Sequence, residues 1–206
     1  MTLSGKEHID ILHGYDLHIR SRTIFLHSVD NDAEGNESHV GNAMYSRLSK
    51  NLLLLEHEPA GDGGDDAIRI IMNTVGGNIY DARGMINRIE LCSKHVTIDV
   101  FGQAMSAGVL ILQAADRRRM SKDAVLMIHH AWSGAGDGHG ETEISDAREL
   151  ERFHRWQEQQ LFDVMKLKDS KLTMRRVREM HRTNAYIYPR DALAMGLIDE
   201  ILEGKQ

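Results

Sequence analysis

The chain has 206 residues, 41% of them hydrophobic, and 31 acidic against 25 basic side chains give a formal net charge of −6. That length and content predict one globular domain with a core of its own, and the negative balance argues against a nucleic-acid binder. One cysteine, Cys92, excludes a disulfide framework and fits a reducing compartment. The opening MTLSGKEHIDILHG lacks the apolar centre of a secretory signal, and no apolar run approaches the ~18 residues of a membrane span. A cytoplasmic protein with no membrane contact is therefore expected.

Strand and helix patterns alternate along the chain. RTIFLHS (22–28) reads as a strand and GNAMYSRLSKNLLLLEHE (41–58) as a helix. DAIRIIMN (66–73) is a second strand, leading through TVGGN into the helical IYDARGMINRIELC (79–92). HVTIDVFG (95–102) and DAVLMIHH (123–130) are further strands, and AGVLILQAADRRR after the first of them reads as a buried helix. This order predicts an α/β fold with ββα or βαβ units and a largely parallel sheet. Two polar inserts, VDNDAEGNESHVG and EPAGDGGDD, read as surface loops.

The last third differs. SGAGDGHGETEIS reads as an exposed loop or weakly paired ribbon. Beyond it Ile144, Ala147, Leu150, Phe153 and Trp156 recur every three residues, continued by Leu161, Val164 and Met165. That stripe predicts an amphipathic helix of roughly seven turns at ~3.6 residues per turn. Its apolar face can cover its own domain or meet another subunit. TMRRVREMHR (173–182) and PRDALAMG (189–196) complete a helical tail, with Pro189 at a first helical position and Gly196 just past the end.

The chemistry centres on FGQAMSAGVLILQAA (101–115). Ser106 falls at a strand-to-helix turn, where first-turn N–H groups lack partners inside the helix. It is either a helix cap or a nucleophile beside backbone donors for an oxyanion. A serine nucleophile needs a base and a group to orient that base. His129 and His130 end a strand and point to opposite faces, so one of them can face Ser106 and the pair cannot chelate one metal. Gly76 and Gly77 lie between strand and helix, where backbone can approach a substrate closely.

Together GQAMSAG, His129 in VLMIHH 23 residues later, IMNTVGG and DALAMGLIDEIL resemble the proteolytic subunit of the Clp protease, ClpP. The resemblance runs from about Asp16 to Leu202. It implies a ClpP/crotonase-type fold of stacked ββα units in a single domain over 1–206. The head would span about 16–130 and 170–202. A projecting handle over about 131–169 would comprise the glycine-rich ribbon and the long helix. It further implies a serine endopeptidase acting on peptides or unfolded proteins through an acyl-enzyme. The subunits would form homo-oligomeric heptameric rings stacked as a tetradecamer, with an AAA+ ATPase unfoldase as partner and no metal or cofactor.

Carried over by position, Ser106 would be the nucleophile, His129 the general base, and the N–H groups of Gly77 and Ala107 the oxyanion hole. The family's third triad member is an aspartate, and the matching position here is Asn184. Asp191 and Asp199 are the alternative carboxylates. TVGG stands where the family has SPGG, and HHAW where it has HQP. Two other readings are a non-catalytic or weakly active structural subunit of a mixed ring and a crotonase-type acyl-CoA enzyme.

Other motifs fail on their chemistry. DNDAEG (30–35) opens like a calcium loop, but position twelve is Gly41 rather than a glutamate. GAGDGHG (134–140) has His139 where a dinucleotide fingerprint needs glycine. Ala104 replaces the first glycine of an α/β-hydrolase elbow. The arginines 117–119 and 175–176 read as solvated or ion-paired faces, and Cys92 as a core residue.

Overall fold

A computed structural model describes residues 5–27, 39–58, 66–131 and 140–204, the side chains of His8 and of 140–144 excepted. The calcium-like DNDAEG, most of both polar inserts and residues 132–139 of the glycine-rich ribbon lie outside the described residues.

The main sheet is built on β4 (Ile68–Thr74) and β6 (Val96–Met105), which pair in parallel. Along β4 the burial alternates strictly: Ile68, Ile70, Met72 and Thr74 face the core. Such alternation follows from the two-residue period of a strand, and each large apolar side chain so buried contributes about 1.5–3 kcal/mol. The strand order is β1 (Leu17–His18), β2 (Thr23–Leu26), β4, β6, β7 (Arg117–Ser121), β10 (Glu200–Leu202). β8 (Val125–Ile128) branches from β6 and carries β9 (Ala185–Ile187). Among the described residues every pairing is parallel except β1–β2 and β8–β9.

The branch is what creates a site. β6 pairs through Thr97–Val100 with β7 and through Gln103–Met105 with β8. Between the two ladders its register against β4 slips, from Met72↔Val100 to Thr74↔Ala104. Asn73 fills the irregularity: its Oδ1 accepts the Gln103 N–H at 3.0 Å. A Cβ at Gly102 would stand 2.6 Å from that oxygen, so a larger residue there would displace the Asn73 side chain.

Helices cover the sheet: α1 (Gly5–Tyr15), α2 (Asn42–His57), α3 (Ile79–Glu90), α4 (Ala107–Gln113), α5 (Gly140–Lys168), α6 (Met174–Arg182) and α7 (Pro189–Met195). Leu48, Leu52 and Leu55 of α2, Met85 of α3 and Ile111 of α4 are fully buried in the same core as Ile70 and Ile98 of the sheet. Pro189 opens α7 and Gly196 ends it in the left-handed region at φ 77, as the sequence predicts. α5 begins at Gly140, inside the stretch expected as loop or ribbon, because the polar run there carries no apolar period to reveal a helix. Its later half packs on its own domain through Phe153, Leu161 and Met165, whereas Ala147 is exposed.

The helix expected over AGVLILQAADRRR is seven residues long, and its arginines belong to β7. They are ion-paired: Arg117 with Glu200 (2.5 Å), Arg118 with Asp199 (2.6 Å) and Arg119 with Asp99 (2.6 Å). Asp99 is fully buried and also holds Arg69 of β4 at 2.5 Å. Among the described residues no helix is long and apolar enough to cross a membrane.

Candidate active site

The C-terminal ends of β4, β6 and β8 converge at the fork, as site-bearing ends of parallel strands do. Met105 and Met127 pair across β6 and β8, and the Ser106 N–H donates to Met127 O at 2.7 Å. That bond fixes the turn into α4 beside the end of β8, two residues before His129. Ser106 Oγ then lies 2.6 Å from His129 Nε2. Ser106 stands at the N-cap position of α4, but its side chain makes no cap hydrogen bond. Its backbone is at φ 53, a left-handed conformation that costs a non-glycine residue about 1–3 kcal/mol and concentrates at functional sites.

The loop after β4 presses against this turn. β5 (Gly76–Gly77) pairs in parallel with β3 (His39–Val40) as a separate two-stranded ribbon. Gly76 sits at φ 93, and a Cβ on it would stand 2.6 Å from Ser106 Cβ, 2.7 Å from Met105 O and 3.1 Å from Ala107 N. The glycine backbone thus abuts the first N–H of α4. Gly77, Ala107, Ser106 and His129 all line one cavity of about 750 Å³. Leu150 and Phe153 of α5 supply its far wall, and Tyr80 braces Phe153 edge-on with centroids 4.9 Å apart. The helical spacing of Leu150 and Phe153 signalled a buried stripe in the sequence; that the stripe faces a cleft follows from tertiary packing alone.

The electrostatics of the pair are set by burial and by a neighbouring imidazole. Burial lowers the His129 pKa, and the neighbouring His130 lowers it further, so the neutral imidazole is the favoured form. A neutral imidazole nitrogen beside a hydroxyl can accept its proton, and nearby N–H groups can hold the charge that develops on an attacked carbonyl. Among the described residues no cluster of three His, Cys, Asp or Glu is arranged to hold a metal ion.

Three candidates were named for orienting the imidazole. Asp199 is committed elsewhere: both its oxygens are bound by Arg118, and those bonds outweigh burial to lower its pKa. Asp191 lies exposed in the first turn of α7. Asn184 is one register step beyond the β8–β9 ladder, which ends at Ile128↔Ala185. It is exposed, at φ 50, and no hydrogen bond joins it to His129 among the described residues. His130 points the other way and meets Glu158, His154 and His181, a grouping that their wide sequence separation conceals.

The forked, largely parallel sheet sets a serine hydroxyl against a histidine at the ends of its strands. Residues 15–205 match the Clp protease family, and the chain belongs to it. It is similar to the ATP-dependent Clp protease proteolytic subunit of Streptococcus equi subsp. equi (strain 4047), 24% identical over 183 residues, which cover 79% of this chain and 90% of that one. The same subunit of Lactococcus lactis subsp. cremoris (strain SK11) is 25% identical over 179 residues, covering 78% and 87%. In three dimensions it resembles an asparagine-to-aspartate mutant of ClpP1 from Listeria monocytogenes, with a TM-score of 0.70, 22% identity and coverage of 91% and 94%. The fold is of the ClpP/crotonase type.

Proposed function

We propose that this chain is a serine endopeptidase of the ClpP type. The observation that carries the reading is the 2.6 Å contact between Ser106 Oγ and His129 Nε2 inside a cleft. In this reading Ser106 Oγ attacks the scissile carbonyl carbon as its proton passes to His129 Nε2. The tetrahedral oxyanion is held by the N–H groups of Gly77 and Ala107. His129 returns the proton to the leaving amine, and water attacks the acyl-enzyme with His129 again as base. Asn184 is the proposed third member, acting through its side-chain oxygen on His129. The apolar wall of Leu150 and Phe153 receives a substrate side chain.

The resemblance extends the reading to heptameric rings stacked as a tetradecamer and fed by an AAA+ ATPase. Light scattering should give a ring-sized mass rather than the 23.3 kDa of one chain. Hydrolysis of a fluorogenic peptide by the wild type but not by Ser106→Ala tests the chemistry. A second reading, a weakly active structural subunit of a mixed ring, is favoured by the lack of any hydrogen-bonded carboxylate on His129 among the described residues. Equal, negligible turnover by wild type and Ser106→Ala would select it.

A further inference from the structure

The two residues that follow His129's strand are held with unusual thoroughness. The His130 N–H donates to His181 O at 3.3 Å, and the Ala131 N–H donates to Gln157 Oε1 at 3.1 Å. His154 Nε2–H donates to Ala131 O at 2.8 Å. His130 Nε2 bonds Glu158 Oε1 at 3.2 Å, and Arg178 Nε donates to Glu158 Oε2 at 2.9 Å. Gln157 and Glu158 are buried polar residues of α5, and His181 is a buried residue of α6. The segment leaving His129 is therefore tied to both helices by polar groups alone.

Three of those groups are imidazoles in near-parallel contact. The His130 ring stacks on His154 with centroids 4.3 Å apart at 20°, and on His181 with centroids 5.2 Å apart at 24°. Three neutral rings stack without penalty, but two positive charges at these distances repel strongly in a partly buried site. We propose that His130, His154 and His181 form a proton-sensitive clamp that positions His129 against Ser106. The proposal rests on the reading of Ser106 and His129 as the reacting pair. His130, His154 and His181 are positioning residues, since none of them touches Ser106.

The surroundings set the order of events. Glu158 faces His130 from α5, and Arg178, Arg175, Glu179 and Arg182 of α6 line the same recess, with His129 adjacent in the chain. Burial lowers the His181 pKa, so a proton reaches that ring only at more acidic pH, where it breaks the neutral stack against His130. The sign follows: a folded pKa below the ordinary value means that protection is present at neutral pH and is lost as pH falls. Releasing the clamp frees the 130–131 segment from α5 and α6 and with it the alignment of His129.

Two measurements on the full chain test this. Backbone hydrogen exchange of residues 150–165, corrected for intrinsic rates, is followed from about pH 7.5 to about pH 5.5 in Ser106→Ala, which needs no activity. Exchange should rise by about ten-fold or more, equivalent to ~1.4 kcal/mol, and His181→Asn should remove most of that response. In parallel, kcat for a fluorogenic peptide should fall on the acid side with a slope steeper than one proton, with KM nearly unchanged. His181→Asn, or His181→Gln if the first variant folds poorly, should restore a one-proton slope. Protection independent of pH, or a pH response that survives the loss of His181, overturns the clamp. If no peptide is turned over at all, the peptidase reading fails and the exchange measurement alone decides the clamp.

Discussion

Met105 and Met127 face each other across β6 and β8, and that single parallel pairing brings Ser106 and His129 within 2.6 Å. The two residues are 23 apart in sequence, and nothing local joins them. Their meeting depends on a fork in the sheet and on a glycine that lets the β4 loop lie against the serine turn.

The first prediction concerns that glycine. At Gly76 a methyl group would meet backbone and Cβ atoms at 2.6–2.7 Å, and the backbone is at φ 93. Gly76→Ala should cost about 1–3 kcal/mol of stability in urea unfolding. It should also lower kcat well beyond that of an exposed control such as Gly204→Ala, whose added methyl group has nothing within 4 Å. Unchanged turnover in Gly76→Ala would show that the loop does not set the serine.

The second concerns pH. His129 has a pKa below the ordinary 6.5, chiefly through burial. Its base form is neutral, so activity is present above the folded pKa and is lost as pH falls through it. The acid limb of kcat/KM should therefore lie below pH 6.5. A limb centred above that value contradicts the assignment of His129 as a desolvated base.

How much of this was legible beforehand differs by element. The first part of β6 showed through the β-branched alternation of residues 95–102, although the strand runs on to Met105, and α7 showed through Pro189 and Gly196. β7 did not, because Arg117, Arg118 and Arg119 read as a charged surface; what makes them a strand is their pairing with β6 and β10 and with Asp99, Asp199 and Glu200. β3, β5 and β9 are too short for a periodic signal. At the site, Ser106 and His129 were found by type and position, but the cleft wall of Leu150 and Phe153 arises from how α5 folds back. The stacking of His130, His154 and His181 has no trace in their spacing.

The third prediction takes up Asn184. Its place one step beyond the end of the β8–β9 ladder, next to Ala185, suits a residue proposed to orient the imidazole, yet it offers no charge when the imidazolium forms. Asn184→Asp should raise kcat by about ten-fold, equivalent to ~1.4 kcal/mol in the barrier. Asn184→Ala should lower it, and Asp191→Ala should leave it nearly unaltered. An Asn184→Ala variant as active as wild type would remove Asn184 from the machinery.

The fourth concerns the fully buried Asp99, which holds Arg69 and Arg119 from the two neighbouring strands. Either arginine alone still compensates the carboxylate, so Arg69→Ala and Arg119→Ala should each be mild. Their combination strands a buried charge, a situation that costs about 3–5 kcal/mol. Denaturant unfolding should therefore show a double-mutant loss exceeding the sum of the single losses. Simple additivity would mean that the aspartate finds another partner or is hydrated.

The central claim is that Ser106 is a nucleophile activated by His129, and covalent labelling tests it most directly. A fluorophosphonate probe, with the modified residue mapped by mass spectrometry, should attach to Ser106 in the wild type. In His129→Ala that labelling should fall by the 10²–10⁴-fold range, roughly, that general-base assistance supplies. Equal labelling of the two proteins, or modification at a residue other than Ser106, would contradict the account.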